Sequence, residues 1–219
     1  MHVLALESAG SVGGVGILGP KVQVELLTSL GPGRGEILPE LVQEALRLAR
    51  LNWEEIGLLA VDIGPGSFTG LRMGLSLAKA LAQVRNLPVV GVRQTEVLGL
   101  PWAEVWPGRV CVWIHDRREY VYTAWVERER AGAETVLPFP EALAKLRERT
   151  SVLLVGSGAQ WFAEELRTQA PEVTLAPEPF CIPRPLVVAQ IGLAKYNREG
   201  GSDGLALEPH YVHKEGEHG

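Results

Sequence analysis

Apolar residues open the chain in three short runs, Val3 to Leu6, Val12 to Leu18 and Val22 to Leu27, separated by Gly, Ser and Pro. Runs of this length between turn residues predict three strands joined as an antiparallel meander. The period then changes. Ile37 to Arg50 carries its apolar residues at helical spacing, Leu58 to Ile63 is an apolar strand, and Ser67 to Arg85 is again helical. A strand over Val89 to Val92 and a short helix after Thr95 complete a βββαβαβα order.

Beyond the Pro/Trp-rich stretch from Pro101 to Pro107, the order recurs in a degraded form. Strands are predicted at Val110 to Ile114, Tyr120 to Val126 and Glu134 to Leu137, then a helix from Pro140 to Arg149. A strand Val152 to Val155, a helix Gln160 to Ala170, a short strand Val173 to Leu175 and a final helix Leu186 to Asn197 follow. Two such halves in succession predict an α/β protein of two duplicated lobes, residues 1–100 and 101–219, each a mixed sheet flanked by helices.

The helix Ser67 to Arg85 is broader on its apolar side than a single sheet requires. At roughly 100° per residue, Thr69, Arg72, Ser76, Lys79 and Gln83 fall within an arc of about 80°. A helix on one sheet needs an apolar stripe of only ~100°. Phe68, Leu71, Leu75, Ala78 and Ala82 are expected to cover the sheet, leaving Gly70, Met73, Gly74, Leu77 and Leu81 for another surface. In the helix before it, Leu41, Ala45 and Leu48 point the same way. The two helices are therefore expected to form a dimerisation surface, unless neighbouring helices of the same chain cover that stripe.

Between Ile63 and the second helix stands Gly64-Pro65-Gly66-Ser67-Phe68-Thr69-Gly70-Leu71-Arg72. Ser67 is placed to cap the first free helix amides. Such an element serves either as a tight turn or as an anion-binding loop. It is neither a Walker loop nor a G-x-G-x-x-G fingerprint, so no cofactor is indicated. The net charge of −5 disfavours direct binding of a phosphate backbone. Cys111 and Cys181 have no metal or disulfide spacing, and no helical H-x-x-x-H pair exists among His2, His115, His210, His213 and His218, so no metal site is expected. Ser67 and Ser157 lie outside G-x-S-x-G. Without a basic leader or a long apolar run, the chain is expected in the cytoplasm and off the membrane.

The nine-residue string from Gly64 to Arg72, with the small-residue helix behind it, resembles the signature of the TsaB (YeaZ-like) family within the actin, sugar-kinase and Hsp70 superfamily. Further matches are Pro88-Val89-Val90-Gly91-Val92, Thr95-Glu96, Arg117-Arg118 with Val121-Tyr122, Val155-Gly156-Ser157-Gly158 and Pro209-His210-Tyr211-Val212. The resemblance implies actin-like lobes and a non-catalytic dimerisation subunit in the formation of N6-threonylcarbamoyladenosine beside the tRNA anticodon. It implies a TsaD-type catalytic partner, a TsaE-type ATPase, tRNA met indirectly through the complex, and a homodimer when isolated. A phosphotransferase or metallopeptidase of the superfamily, or a self-associating homodimer without enzymatic partner, are the alternatives.

The chain departs from the family where an ATP-using relative needs polar groups. Glu7-Ser8 stands for the usual Asp-Thr or Asp-Ser, and Gly33-Arg34-Gly35-Glu36 replaces Arg-x-His-Ser. In the second half, His115-Asp116 puts an aspartate one place late, and a one-residue slip on a strand reverses the face of a side chain. Glu7, Ser8, His115 and Asp116 therefore read as degenerate phosphate-loop positions.

Overall fold

The structure, a computed structural model, describes residues 1–30, 37–117, 119–201 and 206–212. Gly33 to Glu36, Arg118, His213 and His218, named above, lie outside the described residues. The chain divides into two compact units, Met1–Gln94 with Pro183–His210, and Thr95–Ile182 with Tyr211–Gly219. This corrects the division at residue 100, because the last helix returns to the first unit.

In the first unit, β1 (His2–Glu7), β2 (Val12–Leu18) and β3 (Gln23–Ser29) form the expected meander. β4 (Ile56–Gly64) and β5 (Val89–Arg93) join it in parallel, giving the order β3-β2-β1-β4-β5. Side chains alternate across a strand, and that alternation divides the core. Leu4 and Leu6 of β1, Val15 and Ile17 of β2, and Leu59 and Val61 of β4 pack with α1 (Ile37–Ala49) and α2 (Phe68–Arg85). The opposite face meets α7 (Pro185–Glu199), which lies against β1, β2, β4 and β5. Both faces are covered, which is why β1 and β4 read as nearly continuous apolar runs.

Small residues let α7 approach closely. A Cβ on Gly192 would stand 2.6 Å from the Ala60 side chain, and one on Gly16 would stand 2.9 Å from the Pro185 backbone. The carboxylate of Glu25 on β3 fixes the start of α7, accepting the Leu186 amide at 3.0 Å and the Arg184 guanidinium.

The second unit repeats this topology. β6 (Arg109–His115) lies between antiparallel β7 (Tyr120–Glu127) and parallel β10 (Val152–Val155), and β11 (Thr174–Leu175) extends the parallel side. β7 also pairs with β8 (Arg130–Ala131) and β9 (Thr135–Pro138). Thus β9-β7-β6-β10-β11 matches β3-β2-β1-β4-β5 strand for strand, with β8 added. Cys111 and Trp113 of β6 pack with α4 (Phe139–Arg147) and with Ala159, Phe162 and Leu166. Val110, Val112 and Ile114 face α3 (Gln94–Val105) through Leu98 and Ala103. The single helix expected over 160–170 is two, α5 (Ser157–Trp161) and α6 (Ala163–Gln169), meeting at Phe162.

Candidate functional site

β1 and β4 are neighbouring parallel strands, so their C-terminal ends bring Glu7-Ser8 beside Asp62 and the glycine loop. Glu7, Ser8 and Asp62 are fully buried, and Gln94 nearly so. Glu7 Oε1 accepts the amides of Ala9 at 2.8 Å and Gly10 at 3.3 Å, turning the side chain back onto its own turn. Asp62 Oδ1 accepts the Gly64 amide at 2.7 Å. The side chains of Asp62 and Gln94 lie against Glu7. Burial raises the Glu7 carboxyl above its ordinary range, and these hydrogen bonds oppose that rise.

The loop that follows is shaped by its neighbours. Gly64 has φ +96°, which glycine adopts at no steric cost, and its peptide bond to Pro65 is cis. The Ser67 amide donates to the Ala9 carbonyl at 2.8 Å, and Ser67 Oγ accepts the Gly70 amide at 3.3 Å as the N-cap of α2. Ser8 Oγ donates to the Gly70 carbonyl at 2.8 Å. A Cβ on Gly70 would collide with the Ser8 carbonyl oxygen, and one on Gly74 with Ser8 Oγ. Gly70 and Gly74 thus let α2 come down onto the β1–β2 turn.

This corrects the stripes expected on α2. The face on the sheet is Gly70, Leu71, Gly74, Leu75, Ala78 and Ala82, and all six are buried. Phe68 does not cover the sheet; it is 49% exposed, with the Arg72 guanidinium 3.8 Å over its ring. Leu77 and Leu81 are half-buried and pack on the same core as Leu41 of α1, while Met73 is half-buried. Ala45 belongs to that core and is fully buried, so it cannot meet a partner. Leu48 at 46% and Val84 at 77% remain the exposed apolar residues of the two helices with Phe68. Val84 was outside both expected stripes.

In the second unit, His115 ends β6 as Glu7 ends β1. Its amide donates to Ser157 Oγ at 3.0 Å, and its ring stacks on Trp161 at 4.1 Å. Trp161 is 64% exposed. Asp116 follows in the turn, its amide donating to the Tyr120 carbonyl at 2.9 Å. The sequence reading passed over Asp62 and Gln94. A lone aspartate within the apolar run Leu58 to Ile63 was the available signal for the first.

A family model described as TsaD, tRNA N6-adenosine threonylcarbamoyltransferase, matches residues 34–182. The chain belongs to that family, in its TsaB (YeaZ-like) branch. The tRNA threonylcarbamoyladenosine biosynthesis protein TsaB of Haemophilus influenzae is 26% identical over 230 residues, covering 98% of this chain and 94% of that protein. The Escherichia coli protein of the same name is 34% identical over 134 residues, covering 58% of this chain; the chain thus spans 57% of that relative's length. The Geobacter sulfurreducens tRNA N6-adenosine threonylcarbamoyltransferase is 44% identical over 61 residues, 28% of this chain and 18% of that enzyme. A solved Pseudomonas aeruginosa protein with similarity to peptidase YEAZ superposes with a TM-score of 0.81 at 21% identity, covering 97% of this chain and 99% of that one. A ROK hexokinase from Thermus thermophilus superposes with a TM-score of 0.53 at 14% identity, over 90% and 100% of the chains. The fold is therefore the two-lobed actin-like one.

Among the described residues, no helix is long and apolar enough to cross a membrane. No group of three or more His, Cys, Asp or Glu stands together among them.

Proposed function

We propose that this chain is a non-catalytic subunit of the assembly that forms N6-threonylcarbamoyladenosine in tRNA, and that it supports a TsaD-type transferase by pairing with it. The names of the H. influenzae and E. coli relatives support the pathway. The observation that carries the non-catalytic reading is the state of Glu7. At the end of β1 its carboxyl is fully buried and accepts its own turn's Ala9 and Gly10 amides. A carboxyl so held presents nothing to a nucleotide or its metal, and those amides are not open to a phosphate. His115, the counterpart on β6, offers a stacked ring in place of a carboxylate.

The pairing surface in this proposal is the outer side of α1 and α2, with Leu48, Phe68 and Val84 exposed and Leu41, Met73, Leu77 and Leu81 at their flanks. The same surface pairs two copies when the chain is alone. A TsaE-type ATPase joins the assembly, tRNA is met through the complex, and the work is done in the cytoplasm.

Nucleoside mass spectrometry on total tRNA from a strain lacking the gene tests the role. Loss of the modified nucleoside, restored by the wild-type gene, is expected; an unchanged level sinks the assignment. Phosphate release from ATP by the purified chain tests the non-catalytic part. Turnover near one per second, an enzyme-like rate, that disappears in Glu7→Ala would overturn it.

A further inference from the structure

We propose that Glu7 and Asp62 hold one proton between their carboxyl groups, and that this proton fastens the β1–β2 turn to the glycine loop. The inference goes beyond the role in tRNA modification and does not depend on it. Leu6 of β1 pairs with Val61 of β4, so Glu7 and Asp62 are the next residues along two adjacent parallel strands. Both are fully buried. Each spends one oxygen on a different loop, Glu7 Oε1 on the Ala9 and Gly10 amides and Asp62 Oδ1 on the Gly64 amide. The second oxygens, Glu7 Oε2 and Asp62 Oδ2, are also buried, on carboxyl groups close enough to act directly on each other. Ionised carboxylates only accept, so a hydrogen bond between them requires a proton on one of them. Two like charges side by side and away from water do not both ionise at the ordinary carboxylate pH.

Among the described residues, the elements packed around Glu7 bring no charged side chain but Asp62 that shifts it. Gln94 is uncharged, and the α7 residues buried against the sheet are Pro185, Val188, Ala189 and Gly192. The cations on neighbouring elements include Arg72, Lys79 and Arg85 on α2, Arg93 on β5, Lys195 on α7 and Arg184 before it. Lys195 donates to the Gly91 carbonyl and Arg184 is paired with Glu25. None of these shifts Glu7, whose surroundings are Asp62, the Ala9 and Gly10 amides and Gln94.

Glu7 is held above its ordinary value of 4.5, chiefly by burial. The folded chain therefore keeps this proton more tightly than the unfolded chain. The stabilisation is complete below about pH 4.5 and is lost as pH rises through the folded value, when the proton leaves to solvent. The two loops joined at this point carry the N-cap of α2, since Ser67 donates to Ala9.

The test is urea unfolding of the full chain across roughly pH 5 to 9, with infrared spectra of the folded protein. The wild-type midpoint is expected to fall as pH rises. In Glu7→Gln, whose amide supplies the shared hydrogen without titrating, the fall should flatten. At neutral pH the wild type should show the carbonyl band of one protonated carboxyl group, absent from Asp62→Asn. A Glu7→Gln slope equal to wild type overturns the proposal, and so does a wild-type spectrum without that band. The second reading stands even if neither variant folds.

Discussion

The hydroxyl of Ser8 donates to the carbonyl of Gly70 at 2.8 Å, and the Ser8 carbonyl oxygen lies where a side chain on Gly70 would have to begin. The end of β1 and the first turn of α2 are thus in backbone contact. Gly70→Ala must push backbone against backbone. Gly74→Ala meets chiefly Ser8 Oγ, which can rotate away at the cost of one hydrogen bond, and presses more lightly on Ser8 Cβ. Gly70→Ala is expected to lose about 3 kcal/mol, the upper end of overpacking, which is roughly 6–12 °C in Tm for a chain of this size. Gly74→Ala should lose less than half of that. Thermal unfolding of both variants checks the order, and equal losses would mean that the helix can shift to accommodate either.

The same contact explains what could be read from the sequence and what could not. The periods of 2 and 3.6 residues carry the strand and helix assignments, because alternation and helical stripes are local consequences of burial. Leu71, Leu75, Ala78 and Ala82 fell on the correct side of α2 for that reason. Gly70 and Gly74 did not. A helical wheel treats glycine as a weak apolar residue, whereas these two are placed by the β1–β2 turn, more than 50 residues earlier in the chain. Phe68 is expected in the core by its type, although it is 49% exposed. The destination of α7 was equally hidden, since its period announces a helix without saying which sheet it joins. Gly16 on β2, facing away from Val15 and Ile17, was the sign that something packs closely there.

Glu25 ties that returning helix to the edge strand. Its side chain is only 9% exposed, while Arg184 is half exposed. The ion pair alone is therefore worth little. The bond to the Leu186 amide acts as a helix cap, and losing a cap costs about 1 kcal/mol. Glu25→Ala should lower the urea unfolding free energy by about 1–2 kcal/mol. Glu25→Gln, which keeps an acceptor for the amide, should recover more than half of the loss. If Glu25→Gln is as unstable as Glu25→Ala, the charge pair is the larger contribution.

Both cysteines should be inert in the native protein. Burial pushes the Cys111 thiol up to about 12, and Cys181 is raised as well, mainly by burial. Thiolate is the reactive form, so raising pH within the range where the fold survives generates little of it. Iodoacetamide at mildly alkaline pH is expected to leave the native chain unlabelled and to modify both cysteines once urea unfolds it. Mass spectrometry counts the labels. Native labelling at Cys181 alone would show that the segment around it opens locally.

Leu77 is a poor site for testing the proposed pairing surface, because it packs on the core shared by α1 and α2, and a glutamate there would damage the fold as well as the surface. Leu48 and Val84 are better placed, at 46% and 77% exposure. Replacing either by glutamate removes little native packing, so each variant should unfold within about 0.5 kcal/mol of wild type, as surface substitutions usually do. A buried, unpaired carboxylate in an interface costs several kcal/mol. Co-expression with a TsaD-type chain should therefore yield a complex for wild type and at least a tenfold weaker one for Leu48→Glu and Val84→Glu together, since each 1.4 kcal/mol is a factor of ten. Lysine at the same positions separates burial from charge matching: a partner with acidic groups would tolerate lysine and reject glutamate, whereas an apolar interface rejects both. Light scattering on the isolated chain reads the homodimer in the same way. A folded double variant that keeps wild-type affinity for the TsaD-type chain would move the contact away from α1 and α2.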